Sequence, residues 1–161
     1  RALGCYLWDE HDRVEVASTG GPSAVEAEPV SDPSAVLQGL TILGRWAPRD
    51  YVWWFRRDPG NESLLRLEVQ GERCLALAVD AAEWGGGTEP GEVQDLTFYV
   101  PAARRHDPRF LSSVLGAYAA AGSAGATAFR TWVPCCVSEE LTGVEVRSVT
   151  YGGAWLRKRL P

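Results

Sequence analysis

Methionine is absent from the chain, and histidine occurs only as His11 and His106. With cysteine limited to Cys5, Cys74, Cys135 and Cys136, there is no CxxC pair and no Cys/His group at zinc-ligand spacing. No metal is expected. Cys5 and Cys74 fall in apparent strands, where a free thiol behaves as a small apolar side chain, and a reduced, cytoplasmic protein is the expectation. Basic surplus is lacking too: the net charge is −5 and the pI about 5.1, which excludes a nucleic-acid binder held by bulk charge. No apolar run approaches the roughly 20 residues that span a bilayer, so no membrane partner is expected. Gly85-Gly86-Gly87 is not followed by Gly-Lys-Ser/Thr and opens no helix, which removes a P-loop. Beginning at Arg1, the chain is expected to be processed or cut from a longer protein.

What is present is a core. At 45% hydrophobic over 161 residues, the chain can bury one globular interior. The most legible stretch runs from Gln94 to Pro134. Asp95-Leu-Thr-Phe-Tyr-Val100 is an apolar, β-branched and aromatic run, and Ala102 to Asp107 follows as a basic loop. Asp107-Pro108 is a helix start, with Asp as N-cap and Pro at the first helical position. Phe110, Leu111, Val114, Leu115 and Tyr118 recur at helical spacing, and Gly122 to Gly125 ends the element. Ala126 to Val133 reads as a second strand. A strand-helix-strand unit of this length pairs its strands in parallel with a right-handed crossover. Ligands of such sheets sit beyond the carboxyl ends of the strands.

Around this unit, Ser63–Val69 and Arg73–Asp80 read as a hairpin turning at Gln70-Gly71-Glu72, its second strand apolar on both faces and therefore central. Ser23 to Val30 reads as a strand. Asp32-Pro33 starts a helix that carries Val36, Leu37, Leu40, Leu43 and Trp46 inward, followed by an aromatic helical piece from Arg49 to Arg57. At the start, Gly4–Trp8 and Arg13–Ala17 read as two short strands around a polar turn, Asp9 to Asp12, with His11 solvated at its tip. At the end, a short helix over Cys135–Thr142 with Ser138 as N-cap precedes two strands, Gly143–Thr150 and Ala154–Leu156, separated by a bend at Tyr151-Gly152-Gly153. Arg157-Lys158-Arg159 reads as a solvated terminus.

The order of elements from Pro29 to Leu160 resembles the GNAT N-acyltransferase family. The residues carrying the resemblance are Pro29-Val-Ser-Asp-Pro33, the Trp-rich segment from Arg49 to Gly60, the strand from Asp95, the run Arg130-Thr-Trp-Val-Pro134 with Leu141-Thr-Gly-Val144, and Trp155 to Leu160. The fold implied is α/β (α+β): a mixed, mostly antiparallel central sheet flanked by helices, with one parallel β-loop-α-β unit at 94–134. Residues 23–161 would form the GNAT-like domain, and 1–22 a hairpin and connector from a preceding domain.

The resemblance implies transfer of an acyl group from an acyl thioester such as acetyl-CoA to an amine. Tyr99 and Val100 would lie along the acyl carrier, a backbone N–H of strand 95–100 would hold the thioester carbonyl, and Arg104, Arg105 and Arg109 would hold the phosphates. Asp95, Glu68 and Tyr99 are the candidate catalytic residues by strand position. This chain departs from the family at two places. The loop Arg104-Arg-His-Asp-Pro-Arg109 has none of the glycines of the family's pyrophosphate loop, and Asp107 sits where the anion should lie. The short helix after the fifth strand offers Cys135 and Cys136 where many relatives have a general-acid Tyr. The alternative expectation is a catalytically inactive GNAT-like domain that binds a protein partner between strands 95–100 and 126–133, inside a larger protein or a homodimer.

Overall fold

The computed structural model describes residues 5–20, 26–29, 33–43, 63–84, 87–121 and 125–158; at 5–9, 26–29, 33–34, 63, 83–84 and 154–158 it describes the backbone alone. The elements in chain order are β1 (Cys5–Ala17), β2 (Glu26–Pro29), α1 (Pro33–Val36), β3 (Leu40–Leu43), β4 (Ser63–Val69), β5 (Glu72–Asp80), β6 (Val93–Pro101), α2 (Pro108–Ala121), β7 (Ala128–Pro134), α3 (Cys135–Ser138) and β8 (Val146–Lys158). The fold is α+β. One eight-stranded sheet runs in the order β2-β4-β5-β6-β7-β1-β8, with β3 pairing β6 off this path. Every pairing is antiparallel except β6 with β7.

The hairpin and the parallel unit form as their local chemistry dictates. Gln70 and Gly71 both take positive φ, 53° and 76°, the two-residue geometry whose twist suits a hairpin. α2 opens with Asp107 Oδ1 accepting from the backbone N–H of Arg109 and of Phe110, each at 3.1 Å. Phe110, Leu111, Val114, Leu115 and Tyr118 are all buried by this helix against the sheet, with Leu96, Phe98, Val100, Phe129 and Val133. Phe98, Tyr118 and Phe129 meet edge-on, with ring centroids 5.1–6.3 Å apart. A smaller cluster of Leu37, Ile42, Leu64, Leu75 and Tyr99 covers the opposite face.

Five expectations are corrected. Gly4–Ala17 is not a hairpin: Cys5–Ala17 is one strand lying between β7 and β8, with register shifts at Leu7/Asp9, His11/Asp12 and Glu15/Val16. The polar run is accommodated by these irregularities rather than by a turn. His11 is not solvated; it is 2% exposed.

The bend at Tyr151-Gly152-Gly153 is likewise internal to one strand, β8, where it faces the irregularity of β1: His11 lies opposite Gly153 and Asp12 opposite Tyr151, leaving Gly152 as the extra residue. Glycine is required there because a Cβ would sit 1.8 Å from the Trp132 ring. The helix expected from Pro33 to Trp46 stops after Val36. Gly39 at φ +78° breaks it, and Leu40-Thr-Ile-Leu43 pairs with β6 as β3. Ser138 caps nothing at an N-terminus; α3 starts at Cys135, directly after β7, and Ser138 is its last residue. The Trp-rich segment 49–57 lies outside the described residues.

Candidate functional site at the parting of two strands

β6 and β7 run in parallel register from Val93 opposite Ala128 to Leu96 opposite Thr131. Thr131 Oγ1, buried, donates to the Leu96 carbonyl at 3.0 Å and marks the last rung. Beyond it the two strands no longer pair. β7 continues against β1 as far as Pro134, and the edge of β6 that β7 has left is taken by β3: Leu43, Ile42, Thr41 and Leu40 lie opposite Phe98, Tyr99, Val100 and Pro101. β5 holds the other edge of β6 at Phe98 and Tyr99. The divergence is therefore filled by a strand of the same chain, with Ile42 3% and Leu43 1% exposed.

The loop after β6 and the first turn of α2 supply the three candidate phosphate-binding arginines, and two of them are engaged within the molecule. Arg104 Nε donates to Glu72 Oε1 at 2.7 Å, and its Nη1 to Asp107 Oδ2 at 3.0 Å; the hydrogen bond to Glu72 is the main reason its pKa is raised. Its guanidinium also lies over the Phe110 ring, 5.3 Å from the centroid. Arg105 Nε donates to the Ile42 carbonyl of β3 at 3.2 Å, while its Nη1 and Nη2 reach His106 Nε2 at 3.0 Å and His11 Nε2 at 3.1 Å. Arginine has only donors, so both imidazole nitrogens accept. Arg109 is exposed at the start of α2. The donors of that helix end already have an acceptor. Asp107 is held below the ordinary carboxylate range, first by the backbone N–H of Phe110, then by Arg109 N–H and Arg104.

Asp95 is paired with Arg13, Oδ1 to Nη2 at 3.0 Å, and Arg13 in turn stacks over Trp132, 5.9 Å from its centroid. Tyr99 is 1% exposed among aliphatic side chains. Val100 lies in the core beneath α2. Glu68 is exposed on β4, opposite Arg73, and β5 separates it from β6. Among the described residues, no group of three or more His, Cys, Asp or Glu could hold a metal ion. No helix among them is long and apolar enough to cross a membrane.

Beside the loop, β1 contributes residues that sequence reasoning placed elsewhere. Asp12 accepts from Cys135 Sγ at 3.2 Å and from Ser138 Oγ, which lies 3.1 Å from the Cys135 carbonyl. Burial, and after it the Asp12 carboxylate, pushes the Cys135 thiol up to about 12, so it stays protonated and is not a thiolate nucleophile at neutral pH. Tyr151 donates to Glu10 at 3.4 Å. A signal for one strand was available: no Gly, Pro or Asn occurs from Cys5 to Ala17, so a tight turn there would rest on Asp9 and Asp12 alone.

Comparison with family models, with curated proteins and with solved structures finds no match to this chain.

Proposed function

We infer that this chain is a GNAT-like domain that has given up acyl-CoA chemistry and serves as a protein-interaction module, in a larger protein or a homodimer. The observation that carries the loss of acyl-CoA chemistry is the pairing of β3 along Phe98–Pro101, which also fills the place between β6 and β7 where a partner was expected, so a partner would dock elsewhere on the domain. In the acyltransferase reading, that same edge of β6 would supply the backbone N–H for the thioester carbonyl. A strand already paired there competes with the carrier for the same edge. The occupied cap at Asp107 and the internal partners of Arg104 and Arg105 weigh in the same direction: an anion would compete with Glu72, Asp107 and the Ile42 carbonyl for these donors.

The second reading, transfer of an acyl group to a small-molecule amine, keeps one observation in its favour. β6 and β7 do part after Leu96 and Thr131, with Arg104 and Arg105 in the loop above and Arg109 at the start of α2. Calorimetric titration of the chain with acetyl-CoA separates the two. The interaction-module reading expects no heat and no thermal shift up to millimolar ligand. Saturable binding that disappears in Arg104→Ala/Arg105→Ala, in a variant whose circular dichroism is unchanged, would reverse the order of the two readings.

A further inference from the structure

Among the described residues, β8 pairs with β1 alone and forms one end of the sheet. Arg147, Ser148, Val149, Thr150 and Tyr151 are five consecutive exposed residues on that strand. Val149 is 51% and Tyr151 61% exposed; these are the large hydrophobic side chains left exposed among the described residues, and both lie on this edge. A sheet edge of this kind is a template for another strand.

We propose that β8 pairs antiparallel with β8 of a second copy of this chain, about a two-fold axis through Val149. The sequence around that point is complementary to itself. In this register Val149 faces Val149 of the second copy, Ser148 faces Thr150, and Arg147 faces Tyr151. Each is a favourable cross-strand combination: β-branched against β-branched, hydroxyl against hydroxyl, guanidinium against aromatic ring. No like charges oppose one another. The faces agree as well, since Val149 and Tyr151 lie opposite Val14 and Asp12 in the β1 register, while Ser148 and Thr150 lie opposite Glu15 and Arg13. Register shifts against β1 leave Gly152 as the extra residue after Tyr151 and Arg147 as the extra residue before Ser148, so the regular stretch is Ser148–Tyr151, with the Arg147–Tyr151 pairs closing its two ends. Pairing through the same residues on both sides gives a closed two-fold dimer rather than a fibre.

The occupant is a second copy rather than an unrelated peptide because the exposed run is complementary to itself. The inference stands apart from the acyl-CoA question and is tested by a different measurement. Sedimentation equilibrium of the full chain, from micromolar to millimolar concentration, is expected to show a reversible monomer–dimer equilibrium. Val149→Lys places like charges at the axis and is expected to lower the association constant about tenfold or more. Arg147→Glu and Tyr151→Lys fix the register. Mixed, they place an introduced carboxylate opposite an introduced ammonium, and the mixture is expected to associate more tightly than either variant alone. A monomer at every concentration, a dimer indifferent to Val149→Lys, or no gain on mixing would overturn the proposal. Circular dichroism of each variant confirms that the exposed edge, and not the fold, has been changed.

Discussion

The sheet is held together differently on its two sides. From β4 to β7 it is a hydrophobic assembly: α2 lays five apolar and aromatic side chains on the strands, and Phe98, Tyr118 and Phe129 close on one another beneath it. From β7 to β8 the opposite face relies on polar and close-fitting contacts. Arg130 pairs with Glu15 and Arg13 with Asp95, while Trp132 presses onto the bare backbone of Gly152. Burial of apolar area is non-directional: it selects which side chains face the core but names no single partner for each. Ion pairs and a ring against a glycine hold one register only. The bulged β1–β8 ribbon needs that second kind of constraint, because its strands are interrupted three times.

Substitutions that strike one side or the other test this contrast. Phe129→Ala removes a fully buried ring from the aromatic triad and is expected to cost about 3–5 kcal/mol in urea unfolding. Gly152→Val drives a side chain into Trp132, and a loss of roughly 1–3 kcal/mol is expected. Combined with Trp132→Val, the penalty should shrink, and a double-mutant cycle showing strict additivity would mean that the close approach is not what holds the seam. Tyr118→Phe strips the 2.7 Å hydrogen bond to Gln94 and leaves a part-buried amide oxygen unpaired, for about 1–2 kcal/mol. Glu15→Gln weakens the partly screened pair with Arg130, and its effect should stay near 1 kcal/mol or below, fading as salt is added. A larger effect there than at Phe129 would invert the comparison.

The smallest effect concerns pH. Asp107 is depressed in the folded state, so its contribution to stability is present above the ordinary value of 3.8 and is lost as pH falls through the lower folded value. The difference in thermal midpoint between the parent chain and Asp107→Asn should be constant at neutral pH and shrink in acid. A difference that grows with acidity would have the wrong sign for a carboxylate cap.

The two sides differ in how much of them can be read from the chain. The β4–β5 hairpin and the unit from Gln94 to Pro134 are legible because their stabilising contacts repeat within a few residues. Asp107 caps donors two and three residues ahead, the α2 face recurs each turn, and the turn at Gln70–Gly71 joins adjacent strands. Of the candidate site residues, Arg104 and Arg105 do lie in the loop beyond the carboxyl end of β6, as their place in sequence implies. What occupies them was not legible. Glu72 belongs to the hairpin, Ile42 to a segment whose spacing suggested a helix, and His11 to a stretch whose polarity suggested a turn.

By itself, then, the sequence determined the mixed α+β character, the parallel crossover and the buried face of α2, since propensity, capping and periodicity act over short separations. Only the tertiary structure decided that β1 enters the sheet between β7 and β8, that β3 takes the edge β7 leaves, and that Asp12 meets Cys135 and Ser138 across separations of 123 and 126 residues. Polar runs such as Asp9–Asp12 carry no period that distinguishes a solvated turn from a bulged strand. Which of the two forms depends on partners that the fold alone brings near.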